Sequence, residues 1–401
     1  MMKNIFVESL GGIPTFKKRF EVVERKGIGH PDTICDLVMN QISVELSKLY
    51  LKETGMVQHH NMDKSMLVAG QSENKFGGGK ITKPMKFVIG DRATFEANGK
   101  KLPVEELAIS TAKKWFEKNL RFVKNEHINF QLEIGPSSQE LRSIFKNPKS
   151  FVANDTSALV GYAPMTKTES IVLKIEQFIN SSKFKKEFPE SGEDVKVMGF
   201  RNENKLDLTI AMAFVDSFVN SETQYFQRKD EMIQTLSDFS REQTDFDKIS
   251  ITMNNLDKEK IGIDGLYLTV LGTSADNADS GEVGRGNMAN QVISPTRPVG
   301  AEAMAGKNPV SHIGKIYNAL SFQLAEKIQK SIPEFEEVVV WMYNVIGKPV
   351  NQPAAVVVQP ITVPGSKITK FETKIKEIVN DSFQNIDKLC MDLVEGKIEI
   401  A

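Results

Sequence analysis

Hydrophobic residues recur with a helical spacing in several parts of the chain. In residues 32–50 the apolar positions mark one face of an α-helix: they are Ile34, Val38, Ile42, Leu46 and Leu49. Residues 105–120 have a similar periodicity, and residues 166–180 begin with Thr-Lys-Thr-Glu, a capping-box pattern. Pro309 favours the first turn of a further helix, and a last helix is predicted over residues 370–394.

Strand-like segments alternate with these helices. Residues 206–215 alternate polar and apolar side chains, and three other segments are rich in β-branched and aromatic residues: 265–272, 337–347 and 354–363. The sequence GKPVNQP, residues 347–353, is typical of a turn between two strands. The whole pattern predicts an α+β fold with sizeable sheets.

Composition narrows the class of protein. The chain has 401 residues, of which 40% are hydrophobic and 26% charged, and this length is too great for one ordinary core. The net charge of −1 gives no overall attraction to nucleic acid or to an anionic membrane. The two cysteines, Cys35 and Cys390, exclude a disulfide scaffold. Because no long apolar segment or signal-peptide pattern is present, a cytoplasmic protein is expected.

Four loops combine glycine, charge and small polar residues in a way that is typical of functional sites. They are residues 25–36 (RKGIGHPDTICD), 153–164 (ANDTSALVGYAP), 275–290 (ADNADSGEVGRGNMAN) and 304–315 (MAGKNPVSHIGK). The usual phosphate motifs are missing, since FGGGKIT lacks the first glycine of a P-loop and no G-x-G-x-x-G joins a strand to a helix. A nucleotide would therefore be bound by an uncommon route.

The first loop allows two interpretations. Asp32 and Asp36 lie one turn apart at the start of the predicted helix, on a face away from its apolar stripe. They could simply favour the positive end of the helix and be solvated, or an aspartate could hold Mg²⁺, which prefers oxygen ligands. His30 either has a structural role or points toward an anion at the helix N-terminus.

The other loops also allow a structural and a chemical interpretation. Asp155 suits an Asx-turn, or a carboxylate for a metal or an ammonium group. Arg285 lies between glycines that would let its guanidinium reach a phosphate, although an exposed arginine usually only solvates a surface. Lys307 precedes the helix expected at Pro309, so its ammonium would meet free backbone N–H groups; alone it could be a solvated lysine.

Taken together, the loops resemble the S-adenosylmethionine synthetases (methionine adenosyltransferases), in their archaeal-type branch. Seven strings carry the resemblance, in order, along nearly the whole chain: VERKGIGHPDTICD, LVAGQSENKFGGG, NDTSALVGYAP, GEDVKVMGFR, YLTVLGTSADNADSGEVGRGN, EAMAGKNPVSHIGKIYN and IGKPVNQP. One such string would be weak evidence, whereas seven in register are highly specific.

The resemblance implies a fold and an activity. The implied fold is α+β, with three similar α+β domains around a pseudo-threefold axis and mixed sheets packed at a dimer interface. Here the domains are placed at residues 1–140, 141–265 and 266–401, with interleaved elements. In the implied reaction the methionine sulfur attacks C5′ of ATP, giving S-adenosylmethionine and triphosphate, which is then hydrolysed to phosphate and diphosphate. The alternatives are a Mg²⁺-dependent triphosphatase and a non-catalytic regulatory subunit of the same fold.

The family's motifs carry roles over to individual positions. Catalytic roles at the triphosphate and the reacting centre fall to His30, Lys196, Arg285 and Lys307. Roles in binding ATP or methionine fall to Gln71, Asp155, Asp194, Asp279, His312 and Lys315. The implied cofactors are two Mg²⁺ ions, with Asp32 and Asp279 as metal ligands, and K⁺. The implied partners are ATP, L-methionine and the chain itself, as a homodimer or a larger assembly.

The sequence departs from the common bacterial and eukaryotic branch of the family in three places. Gly286 follows Arg285 where that branch has a lysine. After Lys307 that branch has a further lysine and an aspartate, where this chain has Ser-His-Ile at 311–313. His312 or Lys315 would then take over part of the role of those two residues. Gln71 stands in the place of a methionine-binding glutamate.

Overall fold

The chain folds into three large β-sheets with helices packed on them. The computed structural model describes Met2, residues 4–143, Phe145 and residues 151–400. The expected mixed α+β fold is confirmed. The strands within these ranges are β1 Ile5–Val7, β2 Phe20–Lys26, β3 Asn61–Val68, β4 Gln71–Glu73, β5 Lys80–Lys83, β6 Met85–Ala93, β7 Glu96–Ala97, β8 Lys100–Lys101, β9 Ile128–Pro136, β10 Ser157–Ala163, β11 Ser191–Asn202, β12 Lys205–Val215, β13 Lys248–Met253, β14 Leu268–Thr269, β15 Gly281–Glu282, β16 Phe335–Asn344 and β17 Ala355–Thr362. The helices are α1 Pro31–Thr54, α2 Val104–Asn119, α3 Gln139–Ser143, α4 Lys167–Ile179, α5 Ser182–Glu187, α6 Glu222–Gln243, α7 Ile313–Ser331, α8 Glu372–Gln384 and α9 Ile386–Val394.

The large sheets draw strands from distant parts of the chain. The amino-terminal sheet has the order β15-β3-β6-β9, the central sheet has β13-β12-β11-β2 with β14 beside β12, and the carboxy-terminal sheet has β1-β17-β16-β10. In each of them a strand pairs with one that is remote in sequence: β15 with β3, β2 with β11, and β1 with β17. Loops that are far apart in sequence therefore meet between the sheets. The domain boundaries and the pseudo-threefold axis stay predictions.

Each large sheet has its own hydrophobic core, as the length of the chain requires. Phe87 and Phe116 are buried in the amino-terminal core, Val197 and Phe214 in the central core, and Val340 in the carboxy-terminal core. Burying a side chain of this size stabilises the fold by about 1.5–3 kcal/mol. No helix in the described ranges is long and apolar enough to cross a membrane.

The helices with clear start and stop signals are confirmed. Helix α1 runs past the predicted residue 50 and ends before Gly55, whose φ of 77° is the left-handed conformation that glycine favours. Helix α2 matches the prediction for 105–120 within one residue. At the start of α4, Thr166 and Glu169 form the predicted capping box, each side chain accepting from the other's backbone N–H.

The predicted helix start at Pro309 is wrong, because α7 begins at Ile313. The side-chain oxygen of Asn308 accepts from Val310 N at 3.1 Å and so holds the chain in a local turn. The ring of His312 then caps α7 by accepting from Gly314 N at 3.1 Å. The first turn of α7 therefore lies six residues after Lys307.

Two other boundaries also differ. In the predicted strand 265–272 only Leu268–Thr269 pairs in a sheet, because the carboxylate of Asp276 takes the next two backbone N–H groups, at 2.7 and 2.8 Å. The predicted helix over 370–394 is two helices, α8 and α9, that meet at Asn385. The predicted strands at 206–215, 337–347 and 354–363 correspond to β12, β16 and β17, with the expected turn between the last two.

Candidate active site

The first turn of α1 binds the backbone of the 281–287 segment. Asp32 Oδ1 accepts from Glu282 N at 3.0 Å, and one turn later Asp36 Oδ1 accepts from Gly284 N at 2.8 Å. Gly281 lies so close that a Cβ there would be 2.2 Å from the carbonyl of Pro31. Both aspartates are buried, so the interpretation that they are merely solvated is wrong. Burial raises the pKa of Asp36 to about 7, since it disfavours the charged carboxylate.

The backbone around Arg285 is held in place by hydrogen bonds to Lys26. Its backbone oxygen accepts from Lys26 Nζ at 2.6 Å, and Asn287 bonds the main chain of Lys26 in both directions, at 2.9 and 2.8 Å. The Arg285 side chain is exposed, and its guanidinium has no hydrogen-bond or ion-pair partner among the described residues. An unpaired guanidinium on a fixed backbone is suited to bidentate contact with a phosphate.

His30 is the N-cap of α1. Its Nδ1 accepts from Asp32 N at 3.2 Å, and burial lowers its pKa to about 4 despite the nearby Asp32 carboxylate. The ring is therefore neutral at pH 7, with its proton on Nε2. A neutral ring at this position would act on an anion through its Nε2–H group rather than through a positive charge.

The glycines of the first loop allow it to lie directly on β11. Gly27 N donates to Val195 O at 2.6 Å and Gly29 N donates to Glu193 O at 3.0 Å. A Cβ at Gly29 would be 2.4 Å from Asp194 N, so only glycine fits there. Lys196, further along β11, pairs with Glu24 at 3.0 Å, and 40% of its side chain stays exposed.

Asp194 faces the third loop rather than open solvent. Its Oδ2 accepts from Ser274 N at 2.9 Å and from Ser274 Oγ at 2.6 Å. Burial raises the pKa of Asp194 to about 6, although these hydrogen bonds oppose the shift. The carboxylate thus holds the 274–279 segment against β11, and any contact with a ligand would be added to that role.

Lys307 is buried and paired, unlike the solvated or helix-end lysine considered from the sequence. Its Nζ lies 3.0 Å from Asp63 Oδ2 and 3.1 Å from Glu302 Oε2. Burial opposes the charged form of Lys307, but attraction to the two carboxylates prevails and raises its pKa. The ammonium is therefore a fixed charge at pH 7.

His312 and Lys315 both lie beside Lys307. Lys315 Nζ donates to Lys307 O at 3.0 Å and to Asn40 Oδ1 at 2.6 Å, which ties the fourth loop to α1. Burial and then the charge of Lys307 lower the pKa of Lys315 to about 7. His312 Nε2 is 3.8 Å from Asp155 Oδ2, so the second and fourth loops also meet.

Two predicted binding residues do not join this network through their side chains, although Asp279 N donates to Ser274 O at 3.0 Å. Gln71 and Asp279 are exposed, and their side chains make no hydrogen bond or ion pair with any described residue. Three charged residues in the network were missed from the sequence: Lys26, Asp63 and Glu302. A single lysine at a strand end, or a single acidic residue, carries no pattern that would have identified it.

The fold is mixed α+β, and its loops carry an unpaired arginine, a buried lysine cation and a capped helix N-terminus. Such a set of groups is suited to binding a phosphate-bearing ligand. Comparison with known proteins identifies the family. The model of the S-adenosylmethionine synthetase (AdoMet synthetase) family matches residues 3–397, and the chain belongs to that family.

Relatives match along the full length of the chain. The S-adenosylmethionine synthase of Pyrococcus furiosus is 42% identical over 404 residues, covering 100% of both chains. That of Archaeoglobus fulgidus is 40% identical over 400 residues, covering 99% of each. A solved structure titled as an unusual S-adenosylmethionine synthetase from Campylobacter jejuni superposes with a TM-score of 0.59 over 94% of both chains. At 15% identity, that likeness supports the fold alone.

Proposed function

We propose that this chain is a methionine adenosyltransferase, which forms S-adenosylmethionine from ATP and L-methionine and releases triphosphate. The family match over residues 3–397 carries this proposal. The methionine sulfur attacks C5′ of ATP, a new S–C bond forms, and the bond from C5′ to the triphosphate oxygen breaks. A thioether needs no deprotonation before attack, so no general base is required. Catalysis then depends on alignment and on stabilising the charge of the leaving triphosphate.

The contact network supports a role for each predicted catalytic residue. The free guanidinium of Arg285 and the fixed ammonium of Lys307 are suited to phosphate oxygens. His30 is suited to donate from Nε2, and Lys196 has an exposed ammonium beside that ring, whose pKa it lowers. These groups would stabilise the triphosphate as it leaves and during its hydrolysis to phosphate and diphosphate.

Substrate-binding roles are proposed for the remaining predicted residues. Gln71 and Asp155, both with exposed polar atoms, are assigned to methionine. Asp194 and Asp279 are assigned to the adenosine side, where Asp194 acts mainly by holding the 274–279 segment. His312 and Lys315 are placed as supports of Lys307 and Asp155.

The carboxylates fit Mg²⁺ only as partial ligands. No group of three or more His, Cys, Asp or Glu side chains that could hold a metal exists among the described residues. Magnesium commonly takes one or two protein carboxylates and completes its shell with substrate phosphates and water. Asp32 and Asp279 would supply such carboxylates, and Mg²⁺ would neutralise and orient the triphosphate. K⁺, a homodimer and a cytoplasmic location stay proposals from the resemblance.

The proposed activity is tested by incubating the full chain with ATP, Mg²⁺ and K⁺, with and without methionine. Mass spectrometry should show S-adenosylmethionine, phosphate and diphosphate only when methionine is present. Phosphate release without methionine would favour the triphosphatase. ATP binding by calorimetry with no product would favour the regulatory subunit. No feature of the described site favours either alternative.

A further inference from the structure

Lys26 joins the two loops that the proposed triphosphate site requires. Its Nζ donates to Asp32 Oδ2 at 2.9 Å and to the backbone oxygen of Arg285 at 2.6 Å. Asn287 bonds the main chain of Lys26 in both directions, so the position of the lysine is fixed. The side chain is largely buried but keeps 14% of its surface exposed.

The Asp32 carboxylate is already neutralised by the protein itself. Its Oδ2 accepts from the Lys26 ammonium, and its Oδ1 accepts from Glu282 N at 3.0 Å. A divalent cation that approached the chain alone would have to compete with a covalently attached ammonium for Oδ2. An ammonium has three donors, and the partners of Lys26 Nζ among the described residues are these two oxygens. The third donor is therefore available to an anion.

We propose that Lys26 is a binding residue of the triphosphate site, where it serves as a resident cation. It holds Asp32 against the Arg285 loop, covers the carboxylate oxygen that would otherwise bind a divalent cation, and directs a free N–H to a phosphate oxygen. The metal therefore binds together with the nucleotide phosphates and not to the chain alone. This inference rests on the proposed function for the identity of the anion.

The test replaces Lys26 by methionine, which keeps the length of the side chain and removes the charge. Mn²⁺ binding to the nucleotide-free protein is followed by the electron paramagnetic resonance signal of free Mn²⁺. Lys26→Met should bind Mn²⁺ about tenfold more tightly than wild type, because an uncovered buried carboxylate attracts a cation. Lys26→Arg should bind as weakly as wild type, and adding Asp32→Asn to Lys26→Met should abolish the gain.

Lys229 provides a matched control. Its side chain is 12% exposed and bridges the Asp257 carboxylate at 2.8 Å and the Asn254 carbonyl at 3.1 Å, in the central sheet region. Lys229→Met should leave Mn²⁺ binding unchanged. In parallel, calorimetry with inorganic triphosphate should show about tenfold weaker binding to Lys26→Met and no change for Lys229→Met.

Equal Mn²⁺ affinity of wild type and Lys26→Met would overturn the proposal, as would unchanged triphosphate affinity. If Lys26→Met does not fold, Lys26→Gln keeps polar contacts without the charge and carries the same comparison. Neither titration needs turnover, so both give an answer even if the chain makes no S-adenosylmethionine. Absence of product with the expected Mn²⁺ result would instead count against the proposed function.

Discussion

At the scale of single residues, the two aspartates of the first loop are buried and have a structural role that the sequence pattern did not indicate. From the sequence, Asp32 and Asp36 could be solvated helix-end charges. In the structure each accepts a backbone N–H from the 281–287 segment, two residues apart. Asp36, whose role the sequence left open, therefore supports the loop that carries Arg285.

The raised pKa of Asp36 predicts a pH dependence of stability. Its folded-state pKa is about 7, above the ordinary value of 3.8, so between these pH values the folded protein binds the proton more strongly than the unfolded chain. Its contribution to the free energy of unfolding is then fully present in acid and is lost as pH rises toward 7. Urea denaturation should show that wild type loses more stability between pH 5 and pH 8 than Asp36→Asn. Parallel losses in the two proteins would contradict the assignment.

His30→Asn separates capping from catalysis. Asparagine is a good N-cap, so α1 should keep its first turn and thermal stability should change little. The variant lacks the Nε2–H donor, and losing one pre-organised donor costs about 10²-fold in rate. Steady-state formation of S-adenosylmethionine should therefore fall by that amount with an unchanged circular dichroism spectrum. A near-wild-type rate would remove His30 from the mechanism.

At the scale of elements, the sequence predicted those whose signals are local. The capping box at Thr166 and the periodicity of α1 depend on neighbours within one or two turns, and both predictions are confirmed. The helix start at Pro309 failed because Asn308 and His312 compete for the backbone. The strand at 265–272 is short because Asp276 takes its N–H groups. Such side-chain competition depends on geometry that residue types alone do not reveal.

The candidate site was predicted in parts rather than as an arrangement. Sequence motifs indicated the loops of His30, Arg285 and Lys307, but no periodicity shows that α1 binds the backbone of residues 281–287. That contact exists because β15 pairs with β3, which packs against α1. Lys26 and Asp63 gain their significance only from such contacts. Long-range strand pairing therefore limits what the sequence could predict.

Gly281→Ala tests this contact between elements. The added Cβ would lie 2.2 Å from the Pro31 carbonyl, so the loop must move away from α1 and carry Arg285 with it. Activity should fall by about 10²-fold, since small displacements of positioning groups have effects of that size. Gly135→Ala is the control, because its Cβ would meet only Asp91 O, at an ordinary 3.7 Å. Equal activities of the two variants would show that the contact does not position Arg285.

At the scale of the whole molecule, large aromatic side chains are exposed on two of the sheets. On β16 the side chains of Val338, Val340 and Met342 point into the core, so the alternating Trp341 and Tyr343 point away from it. On the central sheet Phe20 and Phe200 stack with ring centroids 6.2 Å apart, and both are exposed. Apolar surface on more than one sheet is typical of an interaction face.

These exposed faces lead to a prediction about the proposed homodimer, in which sheet packs on sheet. Phe200→Lys and Trp341→Lys place a charge in such an interface, where an unpaired buried charge is strongly unfavourable, so both should convert a dimer to monomers in sedimentation velocity experiments. Leu256→Lys is the control, because Leu256 is 91% exposed in a loop outside the sheets and should leave the sedimentation coefficient unchanged. If the active site also needs the second subunit, dimer dissociation and activity should decline together as the protein is diluted. A wild-type chain that is monomeric and fully active, or lysine variants that sediment as wild type does, would mean that these faces have another use.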